Sequence, residues 1–279
     1  MGRRGFTLIG IKIDGGLGNQ MWQYAYGRAL SLKLGTDLKL DFRNYFPGKR
    51  KFSLHYYDIH AGFLTDEDKY GLRVVKQDKG VPSMEQPFCE DNIYLVGNWQ
   101  NPHYLMGAET YIRDELQLKV YLRDDSQRWL QKIKEATNSV SVHIRRGDYF
   151  NEKWVGTYVE LVPSYYYKSI TELQKRYDDI ELFIFSNDID WCRSNMNFGV
   201  PYHYVDCNDE DHGFEDMHLM SQCRHHIIAN STFSWWGAWL GQNAAKCVIA
   251  PDKYFVRDDG YFQAYNKEWL PKDWIKLEI

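Results

Sequence analysis

Apolar residues recur along this chain with two periods, which predict strands and helices in alternation. Over residues 9–13 three isoleucines alternate with small or polar positions, which is typical of a strand. A glycine-rich turn over 14–18 follows, and the pattern from 19 to 34 predicts a helix that stops at Gly35. Because the next alternating run begins at Leu38, this region is predicted to form a β-α-β unit with parallel strands.

The second half of the chain repeats this alternation more regularly. Strands are predicted near 140–145, 180–186, 202–206, 225–229 and 246–250, and helices near 164–177, 188–197, 214–223 and 234–242. Between the halves lie a predicted strand at 93–100 and predicted helices near 103–117 and 124–137, whereas 43–93 has no assignable pattern. The pattern therefore predicts an α/β fold with parallel sheets. We expect two lobes, residues 1–137 and 138–279.

Composition excludes several classes of function. With 34 Lys and Arg against 38 Asp and Glu, the net charge of −4 provides no basic field for nucleic acid. Five cysteines, an odd number without a C-x-x-C pair, are interpreted as reduced thiols. The apolar run at 6–11 is too short for a signal core, and no segment has the apolar length of a membrane span. We therefore expect a cytoplasmic enzyme, with peripheral association with the inner membrane as a further option.

Two adjacent arginines end the predicted strand at 140–145. Side chains alternate along a strand, so His143 and Arg145 are expected on one face, with Arg146 turned away. Arginines near a core need anionic partners, and the planar guanidinium suits phosphate. The alternative is a structural ion pair, for example between Arg146 and Asp148.

A second anion-binding candidate lies at the start of the predicted helix near 234–242. Ser231, Thr232 and Ser234 place three hydroxyl groups there. A helix cap explains one hydroxyl, and phosphate binding at a helix N-terminus would explain the other two. Together with the arginines, this segment predicts a diphosphate site.

The N-terminal turn is less specific. No Gly-Lys-Ser/Thr follows it, and Met21 occupies the last position of a G-x-G-x-x-G pattern, so no nucleotide fingerprint is present. The turn leaves Asn19 at a helix N-terminus. Trp99 and Gln100 end the strand at 93–100, where Trp99 is expected either to pack in the core or to contact a sugar.

Metal binding has little support in the sequence. Asp188-Ile189-Asp190 matches a D-x-D pattern, but so do 66–68 and 209–211. We interpret Asp188 instead as a helix cap or as an acceptor for a base. The nine histidines show no metal-ligand spacing, so no metal site is predicted.

Five ordered blocks of this chain resemble the motifs of glycosyltransferase family 11, the α-1,2-fucosyltransferases. The blocks are 15–25 (GGLGNQMWQYA), 97–100 (GNWQ), 143–149 (HIRRGDY), 185–188 (FSND) and 228–239 (IANSTFSWWGAW). The resemblance spans roughly residues 9–250. Trp22 departs from the family, which commonly has Phe there, and this change is expected to alter packing rather than chemistry.

The resemblance implies a GT-B-like fold, with two Rossmann-like lobes facing across a cleft and the last helix able to return to the first lobe. It also implies that the second lobe binds GDP-fucose, a co-substrate, and that neither a metal nor a cofactor is needed. The implied reaction moves L-fucose from GDP-β-L-fucose, with inversion, to the 2-hydroxyl of a terminal β-galactoside. The acceptor would be an oligosaccharide or a glycolipid of O-antigen or capsule assembly.

Each predicted role rests either on a match to these motifs or on the position of the residue at the carboxyl end of a predicted strand. The donor-binding candidates are Arg145, Arg146, Ser231, Thr232, Phe233, Ser234, Gly16 and Gly18, together with Asp188, Asp206 and Asp216 for guanine and ribose. The catalytic candidates are Arg145, Asn19, His143 and Asp148. Asp148 is the first choice as proton acceptor, with Asp14 and His143 as alternatives. The acceptor-binding candidates are Trp22, Trp99 and Gln100.

Other functions remain open at this point. A metal-dependent nucleotide-sugar transferase would use Asp188 and Asp190. A non-catalytic glycan or nucleotide binder would use the aromatic residues and leave the arginines in ion pairs. Protein O-fucosyl transfer is less favoured, because the block at 228–239 matches the α-1,2 group.

Overall fold

The computed structural model describes residues 7–45, 50–77, 91–146 and 156–279, and only the backbone of Tyr261. Contacts divide the chain into two units, the first ending at Val120 and the second beginning at Tyr121. Each unit contains a parallel sheet and its own helices, which confirms the predicted α/β class.

The first unit has its first strand at the centre of the sheet. Its strands are β1 (Leu8–Lys12), β2 (Asp37–Asp41), β3 (Gly62–Phe63), β4 (Arg73–Lys76) and β5 (Ile93–Val96). Its helices are α1 (Leu17–Leu34), α2 (Asp66–Lys69) and α3 (Glu109–Glu115), and 3₁₀ turns span Arg43–Tyr45, Leu54–Tyr56 and Pro102–Leu105. The strands pair in parallel in the order β3-β2-β1-β5-β4. The predicted β-α-β unit is confirmed, and the unassigned region 43–93 supplies β3, α2 and β4.

Helix α1 is buried on most of its surface. It ends where Gly35 adopts a left-handed conformation, φ +64°, and donates its N–H to the carbonyl oxygen of Ser31. The buried residues include Trp22 and Tyr24, which lie on different sides of the helix. A helix buried in this way must satisfy each of its polar groups within the protein.

A buried carboxylate joins α1 to α3. Glu115 is 4% exposed and accepts hydrogen bonds from Arg28, whose Nη2 lies 2.6 Å and whose Nε lies 2.9 Å from Glu115 oxygens. The hydroxyl of Tyr24 also donates to Glu115. Burial and this hydrogen bond raise the pKa of Tyr24 well above its ordinary value, so Tyr24 remains a donor. The Arg28 guanidinium therefore balances the charge of Glu115, the Tyr24 hydroxyl donates a further hydrogen bond, and His60 Nδ1 lies 3.5 Å from Glu115 Oε1.

We expect Glu115→Gln to lower the free energy of unfolding by about 3 kcal/mol, because the neutral amide leaves the Arg28 charge without its counter-ion. Urea denaturation followed by circular dichroism measures the change. The matched control is Asp114→Asn, which removes a charge from an exposed neighbour on α3 and should alter stability by less than about 0.5 kcal/mol. Equal losses in the two variants would show that the network adds no stability.

The second unit contains a larger parallel sheet. Its strands are β6 (Asn138–Ile144), β7 (Ile180–Ser186), β8 (Tyr202–Tyr204), β9 (His225–Ile227), β10 (Val248–Pro251) and β11 (Ile275–Leu277). Its helices are α4 (Asp124–Glu135), α5 (Pro163–Gln174), α6 (Ile189–Asn195), α7 (Gly213–Gln222), α8 (Thr232–Leu240) and α9 (Gly260–Glu268), and a 3₁₀ turn spans Glu210–His212. The strand order is β11-β10-β9-β6-β7-β8, which is the order of a dinucleotide-binding sheet.

The two faces of this sheet carry separate cores. Val140, Val142 and Ile144 share one core with the helices on their side of β6. Phe183 and Phe185 lie in the other core, beneath α4 and α7. The alternation predicted for the strand near 140–145 is therefore confirmed.

Helix α4 belongs to the second unit, although the sequence placed its residues in the first lobe with a boundary at 137. Ile133 packs in the same core as Phe183, and Trp129 lies against that core. Just before the helix, Arg123 Nε donates to Glu215 Oε1 at 2.9 Å. The unit boundary at Val120 therefore precedes the helix.

The end of the chain also belongs to the second unit. Strand β11 pairs with β10, and Asn266 of α9 accepts hydrogen bonds from the backbone N–H groups of Tyr254 and Phe255 at 2.9 and 3.0 Å. These contacts correct the expectation that the last helix returns to the first lobe. Four cysteines are free thiols, namely Cys192, Cys207, Cys223 and Cys247. None of the described helices has the length and apolar character to cross a membrane.

Helix α8 is capped at both ends. At its start the hydroxyl of Ser231 accepts a hydrogen bond from the N–H of Phe233 at 3.3 Å. At its end the ammonium group of Lys246 donates to carbonyl oxygens at 2.8, 3.3 and 2.6 Å, those of Ala238, Trp239 and Gly241. A cation at this end also balances the helix dipole.

Candidate active site

The predicted anion-binding residues of the second unit lie at neighbouring strand ends. Strand β6 is flanked by β7 on one side and by β9 on the other, and the chain continues outward in both directions from there. Open α/β sheets bind ligands where the strand order reverses, which here is beyond the carboxyl ends of β6 and β9. Arg145 directly follows β6, and the segment Ser231–Ser234 follows β9. Strand order thus brings together two elements that lie far apart in the sequence.

The side chain of His143, on β6, lies against the ring of Phe233, which belongs to α8. The imidazole is 4% exposed, and its ring centroid is 5.5 Å from that of Phe233. Burial, assisted by the nearby charge of Arg145, lowers the pKa of His143 to about 3. His143 is therefore neutral near pH 7 and a weak base. These properties favour a role in positioning over the role of proton acceptor that the sequence left open.

Arg146 is held by protein groups on β7 and α6. Its guanidinium stacks on Trp191 at 3.6 Å from the ring centroid, and its Nε lies 3.7 Å from Asp188 Oδ2. Its backbone N–H donates to Asn187 Oδ1 at 2.9 Å. The structure thus gives Arg146 the kind of structural ion pair weighed as the alternative for this pair of arginines, with Asp188 as the partner.

Asp188 acts as a helix cap, which was one of the two sequence interpretations. Its Oδ1 accepts from the N–H of Trp191 at 3.2 Å, at the start of α6. Asp190 is almost fully exposed and lies 3.4 Å from Arg193. Each carboxylate of the D-x-D pattern therefore faces an arginine. Within the described ranges, no group of three or more His, Cys, Asp or Glu side chains is arranged to hold a metal ion.

The three hydroxyls at the start of α8 have different environments. Ser231 caps the helix, and the buried Ser234 donates to the carbonyl oxygens of Ala229 and Ser231, both at 3.4 Å. Thr232, at the first position of the helix, is half-buried. Two of the three hydroxyls therefore have structural roles, and the predicted phosphate contact at this helix start would be made by Thr232 and by backbone N–H groups.

Phe233 connects this segment to helix α7. A Cβ atom built on Gly213, the first residue of α7, would lie 3.7 Å from the Phe233 ring. In the same first turn of α7, Asp216 accepts a hydrogen bond from Asn208 Nδ2 at 2.6 Å. Burial raises the pKa of Asp216 to about 7. A carboxyl group with such a pKa, in the first turn of a helix that begins at the carboxyl edge of the sheet, is a candidate for ligand binding.

Asp206 has a different environment from Asp216. It follows β8, the edge strand of the sheet, and forms an ion pair with Arg193. Two strands separate it from β9. The predicted donor contact by Asp206 therefore has less structural support than that by Asp216.

In the first unit, Gln23 links the segments that follow β1 and β5. Its Oε1 accepts from the N–H of Asp14 at 2.8 Å, and its Nε2 donates to the carbonyl oxygen of Gly97 at 3.1 Å. Strands β1 and β5 are neighbours in the sheet, so these segments lie together at its carboxyl edge, where open α/β sheets place their ligands. At this position Gln100 Nε2 donates to Asn19 Oδ1 at 3.0 Å, which brings together two predicted site residues.

Gly15 shapes the turn that carries Asn19. Its φ of +80° lies in the left-handed region, and its carbonyl oxygen accepts from the Tyr45 hydroxyl at 2.7 Å. A Cβ atom at this position would lie 2.6 Å from Asn19 Nδ2. Gly16 has an ordinary φ of −78°, and a Cβ there would meet the flexible end of Arg50. Gly18 is buried within α1.

Trp22 and Trp99 do not present their rings to solvent, which corrects their assignment as acceptor-binding residues. Both are 2% exposed. Trp99 stacks on Tyr26 with ring centroids 4.6 Å apart, so it packs in the core, as the alternative interpretation held. Gln100 is half-buried and remains an acceptor-binding candidate.

The proton acceptor has one candidate outside the described residues. Asp148, the first choice from the sequence, lies in the segment 147–155, which the structure does not describe. Asp14 is exposed, and its Oδ1 accepts from the N–H of Gly15 at 2.8 Å and from Asn44 at 3.3 Å. Asp14 therefore has a held orientation beside the turn of Asn19.

Sequence reasoning missed the polar residues that support these segments. Gln20, like Gln23, is a buried residue of α1, and it donates to the carbonyl oxygen of Lys51 at 2.9 Å. Two glutamines on an otherwise buried helix were a usable signal, since buried amides need hydrogen-bond partners. Asn208 and Arg123, which support Asp216, gave no such signal, because their contacts depend on the tertiary fold.

A sheet with this strand order, and with an arginine and a helix N-terminus at its carboxyl edge, has the features of an α/β site for the phosphates of a nucleotide-linked ligand. The family model of glycosyl transferase family 11 matches residues 63–277. The chain belongs to glycosyltransferase family 11, and the protein is therefore a glycosyltransferase.

Three relatives of this chain are named as a colitosyltransferase, an O-antigen glycosyltransferase and a galactoside fucosyltransferase. The α-1,2-colitosyltransferase of Escherichia coli is 30% identical, over 98% of this chain and 99% of that protein. The O-antigen biosynthesis glycosyltransferase WbnK of Escherichia coli is 30% identical, over 95% and 99%. The galactoside α-(1,2)-fucosyltransferase 1 of Rattus norvegicus is 26% identical, over 93% and 71%.

Solved fucosyltransferases share the fold. The fucosyltransferase NodZ from Bradyrhizobium superposes with a TM-score of 0.54 at 12% identity, covering 83% of this chain and 92% of that chain. The likeness confirms the predicted GT-B-like class with two Rossmann-like units.

We expect Gly15→Ala to lower the free energy of unfolding by about 1–3 kcal/mol and to reduce transfer, because the new methyl group strains the backbone and displaces Asn19. Gly16→Ala is the matched control for stability and should cost less than about 1 kcal/mol. Urea denaturation of both variants and initial rates of the first one measure these effects. If the two substitutions cost the same, the conformation assigned to Gly15 is wrong.

Proposed function

We propose that the protein transfers L-fucose from GDP-β-L-fucose to the 2-hydroxyl of a terminal β-galactoside, with inversion and without a metal. The observation that carries this proposal is that Arg145 directly follows β6 while α8 begins just after the neighbouring strand β9, which puts both at the carboxyl edge of one parallel sheet. The galactoside fucosyltransferase relative supports the choice of sugar and linkage. A crystal of NodZ was soaked with GDP-fucose, which supports the choice of donor.

In this proposal Arg145 stabilises the departing diphosphate. The acceptor oxygen attacks the anomeric carbon while the bond to GDP breaks, so negative charge grows on the diphosphate. A fixed guanidinium then binds the transition state more strongly than the ground state. At about 4 Å and an effective dielectric of about 20, one such charge pair contributes about 4 kcal/mol. This energy corresponds to about three powers of ten in rate.

Other residues complete the proposed donor site. Thr232 and the first N–H groups of α8 bind the β-phosphate, and together with Arg145 they supply the positive charge that a metal would otherwise provide. Asp216 accepts hydrogen bonds from guanine. Asn19 and Gln100 lie at the acceptor side, and Asp148 or Asp14 accepts the proton of the attacking hydroxyl.

A second donor deserves a direct test, because one relative is a colitosyltransferase at 30% identity. Colitose is fucose without its 3-hydroxyl, so both donors present the same GDP group to Arg145. The WbnK relative supports an acceptor glycan of O-antigen assembly, whether free or lipid-linked.

The central assay incubates the protein with GDP-fucose or GDP-colitose and a panel of terminal β-galactosides, with and without a chelator. We expect an α-1,2-linked product, identified by NMR, in equal yield under both conditions. Loss of product on chelation would favour the metal-dependent alternative. Binding of GDP-fucose without transfer or hydrolysis would favour the non-catalytic alternative.

We expect Arg145→Ala to lower kcat by at least about a thousandfold at saturating donor, because the leaving group loses its fixed counter-charge. Arg145→Lys should recover only part of the rate, since an ammonium group lacks the planar fork. Arg176→Ala, which removes an exposed arginine of an ion pair with Glu172, is the control and should retain full activity. Turnover of a folded Arg145→Ala protein within about tenfold of the wild type would refute the role.

A further inference from the structure

A network of hydrogen bonds holds the side chain of Asp216, which lies in the first turn of α7. Asp216 accepts from Asn208 Nδ2 at 2.6 Å, and among the described residues this is the one hydrogen bond of its side chain. Its other carboxylate oxygen is therefore available to a ligand. A carboxylate can accept several hydrogen bonds, so binding of a ligand does not require loss of the contact with Asn208.

The amide group of Asn208 has a single consistent orientation. Its Oδ1 accepts from Ser126 Oγ at 3.2 Å and from the guanidinium of Arg123. Because a guanidinium can only donate and a carboxylate only accepts, the oxygen of the amide must face Arg123 and its NH₂ end must face Asp216. Asn208 thus connects a fixed cation to the carboxyl group.

Arg123 is in turn anchored to the second unit. Its Nε donates to Glu215 Oε1 at 2.9 Å, and Glu215 is 1% exposed. Its Nη2 donates to the carbonyl oxygen of Cys207 at 3.3 Å. The network therefore extends from the segment before α4 through the loop after β8 to α7.

Building on the proposed GDP-linked donor, we propose that Asn208 is a positioning residue that orients Asp216 and keeps it ionised for recognition of guanine. Guanine presents N1–H and N2–H₂ as neighbouring donors, and an ionised carboxylate is an acceptor for both. A protonated Asp216 would lose part of this acceptor capacity. Asn208 thus determines base specificity through Asp216 and without contacting the donor.

The groups around Asp216 set its pKa near neutral pH, within the range in which binding can be measured. Burial raises its pKa to about 7, and the hydrogen bond from Asn208 opposes this shift. Glu215 on the same helix and Asp209 raise the pKa further, whereas Arg123 lowers it. Guanine binds the ionised form, so affinity should be full above pH 7 and fall as the pH decreases through 7. Without Asn208 this decrease should shift to higher pH.

The test measures the Kd of GDP and of IDP by calorimetry from pH 6 to pH 9. For Asn208→Ala we expect GDP to bind about tenfold more weakly at pH 7, with most of the affinity restored at pH 9. The preference for GDP over IDP, which lacks the N2 amine, should decrease at pH 7. The KM for donor should rise while kcat at saturating donor changes little.

Asn208→Asp preserves the side-chain shape and should shift the profile further, since it adds a negative charge. It also tests the proposal if Asn208→Ala does not fold. The matched control is Asn243→Ala, which removes an amide with two backbone hydrogen bonds elsewhere in the second unit and should leave both Kd values unchanged.

Two results would overturn the inference while leaving the proposed function intact. In one, GDP affinity is unchanged at every pH in the Asn208 variants. In the other, affinity falls equally at all pH values and for both nucleotides, which indicates a structural role. Failure of the wild-type protein to bind GDP would instead overturn the proposed function together with this inference.

Discussion

A parallel sheet places the carboxyl ends of its strands along one edge, and the chemistry of both units depends on this constraint. In the second unit this edge collects Arg145, the start of α8 and the first turn of α7, which are distant in the chain. In the first unit it collects the segments after β1 and β5, which Gln23 links. In the second unit the strand order reverses between β6 and β9, which is where open α/β sheets place their ligands.

Polar residues at these edges can either satisfy polar groups of the fold itself or bind a ligand. Ser231 and Ser234 satisfy backbone groups, and Arg146 lies against Asp188. Buried polar groups without partners are costly, so a polar motif must first complete the fold. The motifs at the strand ends are therefore larger than the set of residues that remain for a ligand. Asp216 is distinguished by its environment rather than by its motif.

Most elements could be predicted from the sequence, because hydrophobic periodicity records burial directly. The sheet of the second unit and the arginine after β6 followed from this pattern. The assignment of α4 to a unit could not be predicted in this way. Its amphipathic pattern shows that one face of the helix is buried, but it does not show which sheet covers that face. The burial of Trp22 and Trp99 was equally hidden, because a large aromatic ring serves a core and a sugar site alike. Contacts such as that of Arg123 with Asn208 join distant segments, and no local pattern encodes them.

Because helix α8 is capped at both ends, its dipole is oriented before a substrate binds. Ser231 and Lys246 prevent both ends of the helix from fraying, and the tryptophans between them are buried. The partial positive charge at its N-terminus is thus fixed before any substrate arrives. Water would have to reorient its dipoles around an emerging anion, whereas this helix is already aligned. In the proposed reaction, the leaving diphosphate would therefore meet a dipole that is oriented once, when the polypeptide folds, and not anew in every catalytic cycle.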